Sequence, residues 1–358
     1  MKEKKWIYLI LVAMIVAALG GCAQSTPEQP ATQPPAAEQP TAEQPTKSEL
    51  YIVYVTPSTE SGYWGEYVKV GVENAVKDIE QQYGVTVKYE YQGPALEASQ
   101  DEFLNIMEGV IAKKPDGIVM GQLYPDSVAP LVKEATDMGT FVNFISLGVD
   151  SLSCDEYGSL YYCDQPQQGE LAAKAFYDAM QAKGLPMDGV VGVHMSVVVP
   201  VLEEKIQKFV DTLQGLAPDL TILDTQYNEN DVNNGISLME AQLATYGDKF
   251  VGFFGGNNVT GDAIVRVIEG SGRADKLVGV AVDSDPAEIE GMKKGYLDAL
   301  VVQTPYDQAY QATMGVAKHI LEGVDDECSM NMPASVVTPA NMDTPEMQAL
   351  LDPTILKK

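Results

Sequence analysis

Two histidines and four cysteines are the side chains of this 358-residue chain that could ligate a metal or attack a carbonyl, and their spacing suits neither task. His194 and His319 stand far apart, and no two cysteines are separated by a pair of residues, so a zinc site is not expected. No GxSxG elbow, P-loop, GxGxxG after a strand or HExxH helix is present. Carboxylates are plentiful, but as composition rather than as a pattern. Catalysis by a covalent, metal-assisted or phosphate-cradling route has little to rest on, and no cofactor is expected.

The remaining chemistry begins at the N-terminus. Lys2, Lys4 and Lys5 precede an apolar run from Trp6 to Leu19. The run is short of the roughly 20 apolar residues that a membrane span needs, and it reads as a secretory signal. Leu19-Gly20-Gly21-Cys22 resembles a bacterial lipobox, with small residues where the peptidase grips an extended backbone and Cys22 as the lipid acceptor. This predicts a signal peptide over 1–22. Residues 23–48 carry Pro27, Pro30, Pro34, Pro35, Pro40 and Pro45 among Gln, Glu, Thr and Ala, with no apolar side chain larger than Ala between Ser25 and Ser48. Such a segment cannot bury enough surface to offset chain entropy and reads as an extended, disordered tether. In an exported chain, Cys154 and Cys163 could close a disulfide across a short hairpin, leaving Cys328 a lone thiol.

Charge narrows the partners. The chain carries 23 basic and 51 acidic residues, a formal charge of −28. That argues against nucleic acid, which needs a positive footprint, and against a body lying on anionic lipid.

The body from Glu49 onward alternates short apolar runs with amphipathic stretches. Strands are expected at Leu50–Val55, Val85–Tyr89, Gly117–Met120 and Phe141–Ile145, then at Val190–Val193, Leu220–Leu223, Phe250–Phe254 and Leu277–Val282. Between them lie helical stripes such as Val68, Val72, Ala75, Val76 and Ile79, or Ile206, Phe209, Val210 and Leu213. A further helix from about Pro286 to Lys294 has Ser284 or Asp285 at its N-cap. Runs buried on both faces and separated by helices indicate α/β architecture with doubly wound parallel sheets. The strands are too many for one small sheet, so two lobes are expected. Open parallel sheets bind ligands beyond the carboxyl ends of their strands, which puts a cleft between the lobes.

Four stretches in this order resemble the type I periplasmic binding proteins, specifically the ribose-binding-like sugar receptors. They are Ser61-Gly62-Tyr63-Trp64, Lys114-Pro115-Asp116-Gly117-Ile118-Val119, Phe254-Gly255-Gly256-Asn257-Asn258, and Val280-Ala281-Val282-Asp283 followed by Val301-Val302-Gln303-Thr304-Pro305. The resemblance runs from Leu50 to about Ala340. It implies an N-terminal lobe of 49–163 plus 304–330, a C-terminal lobe of 164–303 plus 331–358, and a hinge of about three crossovers. It also implies a monomeric receptor that closes on a sugar and delivers it to an ABC permease. Tyr63 and Trp64 would then cover the C–H face of a sugar. Asp283 would accept from two hydroxyls, and Asn257 and Gln303 would donate and accept. Gln122, Ser146 and His194 are further candidates for ligand contact.

The chain departs from the family at two places. Sugar receptors often carry Asp-Arg where this chain has Ile145 and Ser146, and the family's helix-start Arg in the second lobe falls near Glu203. Two charged hydroxyl clamps are therefore not expected. A sensory, quorum-signal or nucleoside receptor of the same fold is the alternative, and a glycoside-processing enzyme a remote one.

Overall fold

The computed structural model describes residues 47–96 and 99–358. The expected signal peptide, the tether up to residue 46 and the lipid acceptor Cys22 lie outside the described residues.

Two twisted sheets make up the body. The first contains β1 (Glu49–Val55), β2 (Thr86–Gln92), β3 (Gly117–Gly121), β4 (Phe141–Ile145), β5 (Leu160–Tyr162) and β12 (Ser329–Asn331), in the order β12-β5-β4-β3-β1-β2. All its pairings are parallel. The second contains β6 (Val190–Met195), β7 (Thr221–Ile222), β8 (Gln226–Tyr227), β9 (Phe250–Gly255), β10 (Val278–Val282), β11 (Ala299–Val302) and β13 (Ser335–Val337). Its order is β13-β11-β10-β9-β6-β7, with β8 beside β6 and β13 antiparallel to β11.

Each sheet is covered on both faces. Helix α1 (Lys69–Tyr83) and helix α9 (Pro305–Glu322) close one face of the first sheet over Ile52, Tyr54, Val72 and Val316. Helices α2 (Gln100–Ala112) and α3 (Pro125–Asp137) close the other over Val53, Met107 and Val132. On the second sheet, α4 (Gln165–Lys183) and α5 (Pro200–Leu216) pack Phe176 and Phe209 against Phe254. Helices α6 (Val232–Tyr246) and α7 (Asn258–Ser271) pack Met239 and Ile264 on the opposite face, with α8 (Pro286–Lys293) and α10 (Pro345–Leu351) adding Met292 and Leu351. Near-continuous apolar strands are what such double coverage demands.

The chain passes between the sheets three times, at β5 to α4, at β11 to α9 and at β12 to β13. The short strands β5, β8, β12 and β13 carry no apolar run of their own. Strands β5, β12 and β13 lie at these passages, and β8 pairs beside β6.

The cysteine expectation is corrected. Cys154 pairs with Cys328 across a sequence separation of 174, with Cα atoms 5.7 Å apart, and Cys163 is a free, buried thiol. Leu160 donates its backbone N–H to the carbonyl of Cys328 at 2.8 Å. Parallel pairing of β5 with β12 thus brings Cys328 to the loop that holds Cys154, while Cys163 continues past β5 into the crossing to α4.

Candidate functional site

In the first sheet β1 and β3 are neighbours whose connections leave in opposite directions, and β6 and β9 play the same part in the second. Ligands of open parallel sheets sit at such switch points. The segment after β1 forms a seven-residue π-helical turn, Gly62–Val68, that runs into α1. Turns of this kind are rare and concentrate at functional sites. It carries Tyr63 and Tyr67 to the cavity between the lobes. The Tyr67 hydroxyl donates to the Ser284 carbonyl at 3.3 Å, so the two lobes touch directly and the cleft is closed.

Tyr63, Tyr67, Asn258, Asp283, Asp285, Gln303 and Pro305 line one cavity between the lobes. From the first lobe, the Tyr63 hydroxyl and Ser146 Oγ are 2.6 Å apart, and Ser146 Oγ donates to Gln308 Oε1 at 3.1 Å. Gln308 is wholly buried, and its Nε2 has no hydrogen-bond partner among the described residues. Ser146 sits at φ +65° just beyond β4. From the second lobe, Asp283 sits at φ +84° just beyond β10. Two non-glycine residues held in left-handed backbone on facing strand ends mark stored strain, which clusters where side chains must be aimed.

Gln303 Nε2 donates to Asp283 Oδ1 at 2.7 Å. Burial pushes the Asp283 carboxyl above the usual carboxylate range, against the charge of Lys205, the Gln303 amide and the Asn258 backbone N–H. Asp283 is not the cap of the next helix: Asp285 is, with Glu288 Oε2 accepting the Asp285 N–H at 2.8 Å.

Lys205 is the residue that sequence reasoning missed. It lies on α5 with 2% of its surface exposed, and its Nζ donates to Gln168 Oε1 at 3.4 Å. Burial pulls its ammonium below the usual lysine range, opposed by Asp283 and Cys163. Its depth is set by Gly169. A Cβ there would lie 2.1 Å from the Lys205 carbonyl oxygen, so only glycine lets α4 and α5 approach this closely. The sequence reading centred this region on Glu203, which instead accepts from the Tyr227 hydroxyl at 2.8 Å. The pattern Glu203-Glu204-Lys205 offers one clue: Lys205 stands four residues before the core Phe209, on the same stripe.

Other expectations are redistributed. Asn257 is consumed as the N-cap of α7: its Oδ1 accepts the Thr260 N–H at 3.2 Å and its Nδ2 donates to Ser196 Oγ at 2.7 Å. The adjacent Asn258 faces the cavity and donates to Asp285 Oδ2 at 3.0 Å. His194 does not reach the cleft. It is wholly buried under α6, with Nε2 2.9 Å from Gln242 Oε1 and its ring edge-on to Phe253. Burial holds its imidazole down at about 4. Trp64, 5% exposed, belongs to the core of the first lobe. Its ring lies against Gly121, where a Cβ would come within 2.4 Å, and makes an edge contact with Tyr63. Gln122 is buried and donates Nε2 to the Leu147 and Gly148 carbonyls at 3.3 and 2.7 Å, shaping the loop that presents Ser146. No group of His, Cys, Asp and Glu among the described residues is arranged to hold a metal ion.

A family model described as a periplasmic binding protein domain matches residues 52–324. A carbohydrate transporter solute-binding protein from Agrobacterium radiobacter, in complex with D-arabinose, superposes with a TM-score of 0.72 at 26% identity, covering 85% of this chain and 99% of its own. An ABC transporter solute-binding protein from Agrobacterium vitis with bound D-fucose gives 0.72 at 25% identity, covering 84% and 99%. The glucose-galactose binding protein of Geobacillus stearothermophilus, at 23% identity and a TM-score of 0.69 over 83% of this chain and 100% of its own, shares the fold. No curated protein sequence matches the chain. Two doubly wound lobes, a polar cleft at their switch points and a family match over most of the chain agree: the chain belongs to the periplasmic binding proteins, type I, of the ribose-binding-like kind.

Proposed function

We propose that the protein is the extracytoplasmic receptor of an ABC importer, capturing a sugar or sugar-like solute by lobe closure and presenting it to a membrane permease. The observation that carries this reading is the half-buried polar cluster of Asp283, Gln303 and Asn258, with the buried Lys205 charge acting on Asp283, opposite Tyr63, Ser146 and Gln308 across a closed cleft. A rim of hydroxyls needs donors and acceptors in fixed positions, because each buried polar group left unmet costs about 1–3 kcal/mol. Carboxylate, ammonium and amides supply both kinds. The three passages between the sheets serve as the hinge, dividing the chain into lobes near residues 163, 303 and 330. Binding occurs without turnover. Cys22 carries the lipid that anchors the receptor, and the Pro-rich tether holds the body off the membrane. No helix among the described residues is long and apolar enough to cross a membrane.

A thermal-shift panel tests the reading. It contains D-arabinose, D-fucose, D-tagatose, D-galactose, polyols and nucleosides. A specific ligand stabilises by about 2.7 kcal/mol at a hundredfold excess over Kd. A stabilising sugar supports the assignment. Stabilisation by a nucleoside with none by any sugar overturns it.

A further inference from the structure

The chain bridges its two lobes a fourth time. Helix α10 is rooted in the second lobe, where Leu351 is buried beside Val337 and Met342. Ser284 Oγ also donates to the Leu351 carbonyl at 3.2 Å. Beyond it, a 3-10 turn, Pro353–Leu356, leads the last residues onto α1 of the first lobe. There a wholly buried asparagine grips the backbone of the tail with both ends of its amide. Asn74 Nδ2 donates to the Leu356 carbonyl at 2.7 Å, and Asn74 Oδ1 accepts the Lys358 N–H at 3.0 Å. Lys77 Nζ donates to the Lys358 carbonyl at 2.6 Å. Lys358 pairs with Asp78, itself held by the Tyr310 hydroxyl at 2.7 Å, and Lys357 lies 3.8 Å from Glu73. Tail residues Asp352 and Thr354 wall a cavity shared by Glu66 and Tyr67 of one lobe and Ile289 and Lys293 of the other.

We propose that residues 353–358 are a releasable latch that biases the lobes toward closure. The three hinge passages are continuous through strands and helices of both lobes and persist whatever the lobes do. The fourth bridge is different, because among the described residues it is held on α1 through side-chain contacts. It has no slack. A four-residue 3-10 turn spans roughly 8 Å at about 2 Å per residue, and Pro353 fixes one of its torsions. Rotation that carries α10 away from α1 must therefore undock the tail and leave the Asn74 amide with its Nδ2 bond to the Tyr306 hydroxyl at 3.0 Å and its Oδ1 without the Lys358 N–H until water reaches it. The exposed lysine pairs add a smaller, salt-sensitive share. The latch acts whatever solute the cleft accepts.

Cys163 supplies a native probe, since it is a free thiol, 1% exposed, at the first hinge passage near Lys205 and Asp283. The experiment measures its alkylation by N-ethylmaleimide in the folded, ligand-free full chain, read by peptide mass spectrometry. Two variants release the latch: deletion of 353–358, and the surface pair Lys357→Glu with Lys358→Glu, which touches no core. Each is expected to raise the alkylation rate about five- to tenfold with the thermal midpoint nearly unchanged for the surface pair. Lys174→Glu with Lys208→Glu, an equal charge change elsewhere, leaves the rate as it is. Asp78→Lys raises it, and Lys358→Glu added to Asp78→Lys restores it. An unchanged rate in both latch variants overturns the proposal, as does an equal rise in the control pair.

Discussion

Gln303 and Asp283 leave adjacent parallel strands, β11 and β10, and meet in a 2.7 Å hydrogen bond that fixes one carboxylate oxygen at the wall of the cleft cavity, where the Asn258 backbone N–H also bonds the carboxylate. The bond orients Asp283 in a backbone conformation, φ +84°, that an aspartate adopts rarely. Orientation of this kind is preorganisation, since the acceptor is in place before the ligand arrives.

Asp283→Asn should therefore cost binding and spare the fold. The charge-assisted acceptor is lost, at about 2–3 kcal/mol of affinity for any ligand that bonds it. The carboxyl is raised by burial, so its ionised form costs the folded state at neutral pH, and the thermal midpoint of the variant should not fall. Calorimetric titration with the best sugar of the panel and with its deoxy analogues reads both. Equal affinity in wild type and variant would show that the carboxylate faces no ligand hydroxyl.

How much of this was legible beforehand differs by element. Strands such as Val190–Met195 and Phe250–Gly255 announce themselves, because burial on both faces demands an unbroken apolar run. Tyr63, Ser146, Asp283 and Gln303 were legible as strand-end residues, and the structure brings them to the cleft region. The choice between Asn257 and Asn258 was not legible. Both follow the same strand, and which one caps α7 depends on Thr260 and Ser196, whose positions tertiary packing sets. Lys205 was hidden because a lysine in an amphipathic helix normally reads as solvated, and its burial follows from the close approach at Gly169. The disulfide was misread for a related reason. Nearness of Cys154 to Cys163 in sequence says nothing about the β5–β12 pairing that delivers Cys328.

The two asparagines should separate by readout. Asn257→Ala removes a helix cap and should lower stability by about 1 kcal/mol with modest change in affinity. Asn258→Ala should do the reverse, weakening binding while the thermal midpoint holds. Denaturant titration beside calorimetry distinguishes them, and a shared phenotype would argue against the division of labour.

Peptide mapping without reduction should recover a Cys154–Cys328 linked peptide, with Cys163 alkylated fully only after denaturation. Cys328→Ser should destabilise the fold. The chain-entropy relation for a loop of 174 residues gives about 5 kcal/mol as a ceiling, and typical measured losses are about 2–4 kcal/mol. A Cys154–Cys163 peptide would reverse the assignment.

His194 predicts a pH signature. Its folded value is lowered to about 4, below the ordinary value near 6.5, so between those limits the unfolded chain binds a proton that the folded chain refuses. The associated stability is present in full above about 6.5 and is lost as pH falls toward 4, by about 3 kcal/mol. Buried carboxyls such as Asp262, raised to about 6 by desolvation, act with the opposite sign in that window. The informative quantity is therefore the difference between wild type and His194→Gln. Denaturation midpoints taken from pH 7 down to 4.5 should converge as the wild type loses its advantage. Parallel curves would mean that the imidazole titrates in the folded state.

Lys205 offers the sharpest contrast between stability and function. Its ammonium can donate three hydrogen bonds, and its bond to Gln168 is long at 3.4 Å. No direct ion pair joins it to Asp283 among the described residues, so the folded protein carries a desolvated charge that is only partly compensated. Replacing such a charge by an apolar side chain of similar volume is often neutral or stabilising. Lys205→Met should therefore match or exceed the wild-type thermal midpoint. Binding should suffer, because a ligand oxygen that would accept from the ammonium finds none. The loss of the cation also removes a charge that now favours ionised Asp283, so that carboxyl should rise further. Whatever affinity remains should then grow with pH as Asp283 deprotonates, a dependence weaker in the wild type. Lys205→Arg, which keeps the charge but enlarges the head group, should retain the flatter pH profile even if packing lowers its affinity. Calorimetric titration of the three proteins at several pH values tests this. A methionine variant that binds as tightly as wild type, with the same pH profile, would remove Lys205 from the site.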